Sequence, residues 1–273
     1  MIIKAPAIDP IIFSFLNIDI HWYGLMYTFG FMFAIWAGER KLKKTGFLTK
    51  DEFYLLIFYC MAGVVIGGRT GYYLFYEPSK ISEYFYFSNG GMSFHGGLFG
   101  VITAIIIYSY KKEKRFLKLT DFIVPLVPFG LGAGRLGNFI NGELWGKVSS
   151  PDFGMLFANA KESDIEYALS HPEWIDFLHQ YGSLPRYPSQ LIELFFEGIV
   201  LFIIIGLYSR KERGIGKVSG LFLTLYSLFR IGIEYYFREP DEQLGLFFDI
   251  VSMGQILSLP ALLIGLWLLL KKE

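Results

Sequence analysis

Residues 119–143 read LTDFIVPLVPFGLGAGRLGNFINGE. From Leu119 to Asn141 the only charged side chains are Asp121 and Arg135. About 20 apolar residues in a helix cross the ~30 Å of bilayer hydrocarbon, so the stretch reads as a membrane helix. Pro125 and Pro128 interrupt it, which a membrane helix tolerates where its neighbours satisfy the freed backbone groups. The same stretch holds a literal G-x-G-x-x-G, Gly132 to Gly137. That motif binds a dinucleotide only after a strand in a βαβ unit; here both flanks are apolar helix, and the nucleotide reading is rejected.

The rest of the chain has the same character. Of 273 residues 53% are apolar and 19% aromatic, with a mean hydropathy of +0.41, which is too apolar for a water-soluble domain of this size. Runs long enough to span lie near residues 20–38, 53–75, 94–110, 119–141, 188–209, 217–237 and 248–270. The 25 basic and 25 acidic residues balance, so their placement carries the signal. Lys and Arg resist translocation. They crowd into 39–50 (Arg40, Lys41, Lys43, Lys44, Lys50), 111–118 (Lys111, Lys112, Lys114, Arg115, Lys118), 210–217 (Arg210, Lys211, Arg213, Lys217) and the tail (Lys271, Lys272). These segments are expected inside, and the basic-poor connections 76–93 and 143–187 outside. The expected fold is therefore an all-α polytopic membrane protein of about seven transmembrane helices. Its N-terminus is outside and its C-terminus cytoplasmic, and 143–187 forms a small extracytoplasmic cap with an amphipathic helix around Glu162 to His179. Met1 to Asp19 lacks a basic leader and reads as an exposed lead-in rather than a cleaved signal. No internal repeat is visible.

Ionisable groups inside spans cost several kcal/mol or more and are functional candidates by default. Arg69, His95, Arg135, Arg230 and Glu234 stand out. With the expected topology, Arg135 and Arg230 lie on outward-running helices near their outer ends, and His95 begins an inward-running one, so all three meet the outer leaflet. Snorkelling or an internal ion pair would equally explain Arg69 and Arg230, and Arg230 with Glu234 stands at i, i+4. Arg135 has polar company: Asn138, Asn141 and Glu143 follow it in the 130–143 segment, which holds five glycines. Arg135, Asn138 and Gly142 project from one helix face. Small residues admit a headgroup to the backbone while Arg and Asn supply donors that fork onto phosphate, the pattern of an anion site. Gly63, Gly67 and Gly71 recur every four residues, most simply for helix packing. Cys60, the single cysteine, reads as a small buried residue, and His171 and His179 lack carboxylates at metal-ligand spacing. His21 suits an interfacial aromatic belt beside Trp22 and Tyr23.

The segment Gly134-Arg-Leu-Gly-Asn-Phe-Ile-Asn-Gly-Glu143 resembles the G-R-x-G-N-F-x-N-x-E signature of the bacterial prolipoprotein diacylglyceryl transferase family. Further blocks resemble the same family: His21 to Tyr27, Gly68 to Tyr72, Gly91 to Gly97, Tyr187 to Gln190, and Arg230 to Glu234 followed by Arg238 to Asp241. The resemblance implies transfer of the diacylglyceryl group from phosphatidylglycerol to the lipobox cysteine thiol of a prolipoprotein signal peptide. The products are a thioether and glycerol-1-phosphate, made at the outer face of the bacterial inner membrane with no cofactor, metal or nucleic acid. It implies phosphate binding by Arg135, completed by Asn138, Gly142 and Glu143, and essential or important places for Arg230, Glu234, His95 and Tyr23. This sequence departs from the family pattern at three places. Arg238 follows Glu234 by four residues where many relatives have three, Ile192 replaces a common tyrosine, and Tyr187 stands where histidine is frequent.

The chemistry suits these residue types. A thiol with pKa ~8.5 must lose its proton to attack, and either an imidazole or a carboxylate can accept it. The leaving phosphate gains charge that fixed guanidiniums stabilise. Two other classes fit intramembrane charge: a transporter that selects an anion or flips a lipid, and an inactive lipid-binding or assembly protein. Transport calls for polar groups continuing toward the cytoplasmic side, where the spans are almost entirely apolar, and an inactive protein has no need of filled signature positions.

Overall fold

The computed structural model describes residues 2–15, 18–86, 91–239, 246–247 and 251–272. Pro240 and Asp241 of the last family block, and 248–250 of the last expected span, lie outside them. The described chain is mostly helical. Among the described residues, four helices are long and apolar enough to cross a membrane: Lys50–Phe75, Phe116–Asn141, Ser189–Tyr208 and Met253–Leu270. Alongside them run α1 (Trp22–Thr45), α3 (Phe94–Lys111) and α10 (Lys217–Tyr236), with α2 being Lys50–Phe75 and α11 Met253–Leu270. Large apolar side chains such as Phe58, Phe99, Phe195 and Leu263 are exposed on these helices, which suits a lipid surrounding rather than water.

The prolines of the 119–143 stretch have a local effect. The helix runs as α4 (Phe116–Ile123), tightens to a 3-10 turn over Val124–Leu126, and resumes as α5 (Val127–Asn141). Lys41 donates to the Asp121 and Phe122 carbonyls at 3.1 and 2.9 Å, supplying donors where the prolines remove them. The Asp121 carboxylate accepts from the backbone N–H groups of Gly216 and Ser219 at 2.6 and 2.8 Å and so caps α10. At this end of the bundle the polar groups are spent on helix ends.

Glycines set the closest helix approaches. A Cβ on Gly63 would come within 2.6 Å of the Gly100 carbonyl oxygen and one on Gly71 within 2.7 Å of the Gly96 Cα, so α2 and α3 pack backbone to backbone along the four-residue repeat. The same device joins α5 to the chain after α8 (Ser189–Glu193), where Gly132 faces Gly198. Between α8 and α9 (Leu201–Tyr208) the helix widens into a π turn over Leu194–Val200. Such turns cluster at functional sites because they re-aim side chains within a continuous helix.

Two sequence expectations are corrected. The amphipathic stretch Glu162 to His179 is broken: α6 covers Lys161–Ser170 and α7 covers Ile175–Tyr181, with a 3-10 turn at Pro172–Trp174, because Pro172 cannot continue a helix. The chain is also not purely α. Strands β1 (Ile3–Lys4), β4 (Met155–Leu156) and β5 (Pro185–Arg186) form a small sheet in the order β1-β4-β5. In addition β2 (Ile11–Phe15) pairs with β3 (Ile18–His21), and β6 (Leu246–Phe247) with β7 (Val251–Ser252). The sheet ties the lead-in to the 143–187 segment. That segment also has a polar core: buried Arg186 donates to Asp164 at 2.6 Å and to Glu239 at 3.1 Å, locking it to the chain that follows α10.

Candidate active site

Arg135 sits three residues beyond the Gly132–Gly198 contact, which brings its guanidinium onto the π turn. Its Nε lies 3.2 Å from Glu193 Oε2 and its Nη2 lies 3.2 Å from Glu197 Oε2. Arg230, on α10, donates from Nη1 to Glu193 Oε1 at 2.5 Å and from Nη2 to Glu234 Oε1 at 2.6 Å. Arg238, just past α10, reaches the same Glu193 Oε1 at 2.8 Å and Glu234 Oε1 at 3.4 Å. Ser252, the N-cap of α11, donates to the other oxygen of Glu234 at 3.0 Å. Three guanidiniums thus face three carboxylates. Glu193 and Glu197 are fully buried, and the arginine side chains are 12–14% exposed, so the cluster is almost sealed but keeps an open guanidinium edge.

The position of Arg238 answers the spacing departure. Four residues after Glu234, it stands just past the last turn of α10, and the extended chain there pairs with Gly146. Gly146 donates its N–H to Tyr187 at 2.9 Å and admits the Phe237 and Tyr187 carbonyls where any Cβ would collide. The local backbone carries Arg238 back onto Glu193.

A second polar group sits at the end of α5. Gly142 adopts the left-handed conformation (φ 63°) that ends the helix. The turn it makes folds the Glu143 carboxylate back to accept from Asn138 Nδ2 at 2.9 Å and Asn141 Nδ2 at 3.3 Å. Gln190 donates to the Glu143 carbonyl at 2.7 Å and Ser189 to the Leu144 carbonyl at 2.8 Å, so α8 clamps this turn one helical turn before Glu193. The oxygen of Gln190 and that of Asn141 are buried without a partner among the described residues.

Tyr23 lies between the two groups. It packs on Gly137, where a Cβ would meet its ring at 3.0 Å, shares a 3.3 Å hydrogen bond with Tyr27, and stands within range of the charges of both Glu143 and Arg135. His95 begins α3, whose N-cap is Ser93. Its ring contacts Phe94 and feels the Arg230 charge, with no hydrogen bond among the described residues. The structure therefore gathers Arg135, Arg230 and Glu234 into one ion cluster and Asn138, Gly142 and Glu143 into a second, with Tyr23 between them and His95 to one side.

Sequence reading missed Glu193 and Glu197, although two carboxylates four apart in a span of mean hydropathy 2.3 are as anomalous as an arginine. Arg69 is placed elsewhere. It is 1% exposed and neither snorkels nor joins this cluster; it donates to the backbone carbonyls of Glu83, Tyr84, Tyr86 and Gly91 at 2.9–3.1 Å.

Fold and site define a helical membrane protein with a buried, charge-balanced polar centre. The family profile of prolipoprotein diacylglyceryl transferases matches residues 10–271. The chain is 51% identical over 267 residues to the phosphatidylglycerol–prolipoprotein diacylglyceryl transferase of Pectobacterium carotovorum subsp. carotovorum, covering 96% of this chain and 92% of that one. It is 52% identical to that of Erwinia tasmaniensis (95% and 90% covered) and 49% identical to that of Buchnera aphidicola subsp. Acyrthosiphon pisum (99% and 98%). This chain belongs to the prolipoprotein diacylglyceryl transferase family.

Proposed function

We propose that this protein transfers the diacylglyceryl group of phosphatidylglycerol to the lipobox cysteine of prolipoproteins, the first step of bacterial lipoprotein maturation. The observation that carries the reading is the match to the transferase family along residues 10–271 with every signature position filled. In this reading the chain is one membrane domain of seven spans, N-terminus out, in the bacterial inner membrane, with 143–187 as an extracytoplasmic cap. Loop charge supports that orientation. Arg135 lies six residues before the end of α5, about 9 Å of helix, a depth that a lipid phosphate of the outer leaflet reaches.

The cysteine thiolate attacks the glyceryl carbon bearing the phosphate. A carbon–sulfur bond forms, the carbon–oxygen bond breaks, and its electron pair leaves with glycerol-1-phosphate. Arg135 holds the phosphate and Arg230 stabilises the second negative charge that grows on it. Fixed cations in a site with little water do this more effectively than solvent, because they need no reorganisation. Glu234 orients Arg230. Asn138, Gly142 and Glu143 shape the end of α5 against which the headgroup rests, and Tyr23 closes the space between the two polar groups. His95, in this reading, takes the thiol proton or donates to the headgroup. Purified protein given phosphatidylglycerol and a lipobox peptide is expected to yield a peptide heavier by one diacylglyceryl group in the mass spectrometer. No mass shift with folded protein sinks the proposal.

A further inference from the structure

The cluster raises a question of charge that the transferase reading leaves open. Three arginines face three carboxylates, so in this resting arrangement the centre carries no surplus positive charge with which to draw an anionic lipid. The two acids on the α8–π helix are held unequally. Glu193 is the hub: its Oε1 accepts from Arg230 and Arg238 at 2.5 and 2.8 Å, while its Oε2 lies 3.2 Å from Arg135 Nε and accepts no hydrogen bond among the described residues. Glu197 has Oε2 on Arg135 at 3.2 and 3.4 Å, while its Oε1 lies 3.8 Å from Arg230 and accepts no hydrogen bond among the described residues. Each acid leaves one buried oxygen without a hydrogen bond, which is costly, but Glu193 accepts from two arginines and Glu197 from Arg135 alone. Glu197 also sits on the π turn, a segment whose widened backbone gives its side chains an alternative aim.

We infer that Glu197 is a placeholder for the donor phosphate, occupying the Arg135 fork at rest, giving way when the phosphodiester binds, and returning to help expel the glycerol-1-phosphate product. This rests on the transferase reading given above and names a positioning residue within it. An internal anion that competes with substrate weakens donor binding. It also competes with the more highly charged product, which would otherwise bind two fixed guanidiniums more tightly than the substrate does.

The test uses the full-length protein in lipid nanodiscs of phosphatidylcholine with or without phosphatidylglycerol, read by thermal unfolding. A merely structural Glu197 predicts that E197Q lowers Tm equally in both. The placeholder predicts that E197Q lowers Tm in phosphatidylcholine alone and gains more than the wild type from phosphatidylglycerol, with an apparent Kd for that lipid about tenfold lower. In turnover, E197Q should lower KM for phosphatidylglycerol, lower kcat, and show stronger inhibition by added glycerol-1-phosphate. E193Q, which removes the hub, should lose Tm in both lipids with no added gain. Should E197Q not fold, E197D serves: it keeps the charge but withdraws it from Arg135 by one methylene, and should show the same direction with a smaller gain. An E197Q or E197D protein whose gain from phosphatidylglycerol equals or falls below that of the wild type overturns the inference. Failure of the transferase reading looks different: the wild type itself gains nothing from phosphatidylglycerol and lipidates no peptide.

Discussion

Arg69 and Arg135 are both arginines on apolar, glycine-rich helices, and the structure gives them opposite work. Arg69 donates to the backbone carbonyls of Glu83, Tyr84, Tyr86 and Gly91, dipoles fixed in the main chain. Arg135 is paired with carboxylates, which the proposed mechanism has a phosphate replace, and its Nη1 has no partner among the described residues. An arginine bound to main chain fixes a loop to a helix; an arginine bound to acids is, in the proposed mechanism, available to take a phosphate in their place. The difference lies first in the partner, and second in exposure: Arg69 is sealed, whereas the Arg135 side chain keeps an edge open.

Substitutions can break this comparison. Arg135→Ala should reduce lipidation of a lipobox peptide by at least about 10³-fold while the protein remains folded; near-normal turnover by mass spectrometry would place the phosphate elsewhere. Arg69→Ala should instead act on the fold, costing about 3 kcal/mol or more by leaving several carbonyls without donors. Residual activity should then track the folded fraction seen in thermal melts. A folded Arg69→Ala protein with slow chemistry would erase the contrast. Gly67→Ala sharpens it from the packing side: the new methyl meets the Gly96 carbonyl across the α2–α3 seam, and the forced separation should cost about 1–3 kcal/mol, again without a change in kcat per folded molecule. The smallest effect is expected at another buried arginine, Arg186. Asp164→Asn leaves it Glu239 and Ser163 as partners, so limited proteolysis within 143–187 should quicken while stability falls by about 1–2 kcal/mol.

Membrane character was legible because it is written in composition and run length, which local sequence determines regardless of what packs against what. The signature residues were legible as an anion-binding pattern for a similar reason, since Arg135, Asn138 and Glu143 are neighbours in the chain. The helix break at Pro172 and the short strands were not anticipated. One was overridden by an amphipathic periodicity that ran through the proline, the others by apolar segments of two to five residues too short to show alternation. Glu193 and Glu197 are two isolated acids in the fifth apolar run, and their local sequence does not show that arginines from other helices meet them, nor does the lengthened Glu234–Arg238 spacing show where Arg238 ends up.

The sequence by itself determined a polytopic helical membrane protein with arginines it cannot afford to leave unpaired, and the family to which it belongs. Only the tertiary structure decided which partner each arginine takes. Pairing depends on the Gly132–Gly198 contact, the π turn at Leu194–Val200 and the Gly146 junction, which together bring charges 37 to 62 positions apart in the chain within a few ångströms. A charge buried at low dielectric is governed by whichever opposite charge lies within that distance, and no local pattern encodes a distance of that kind.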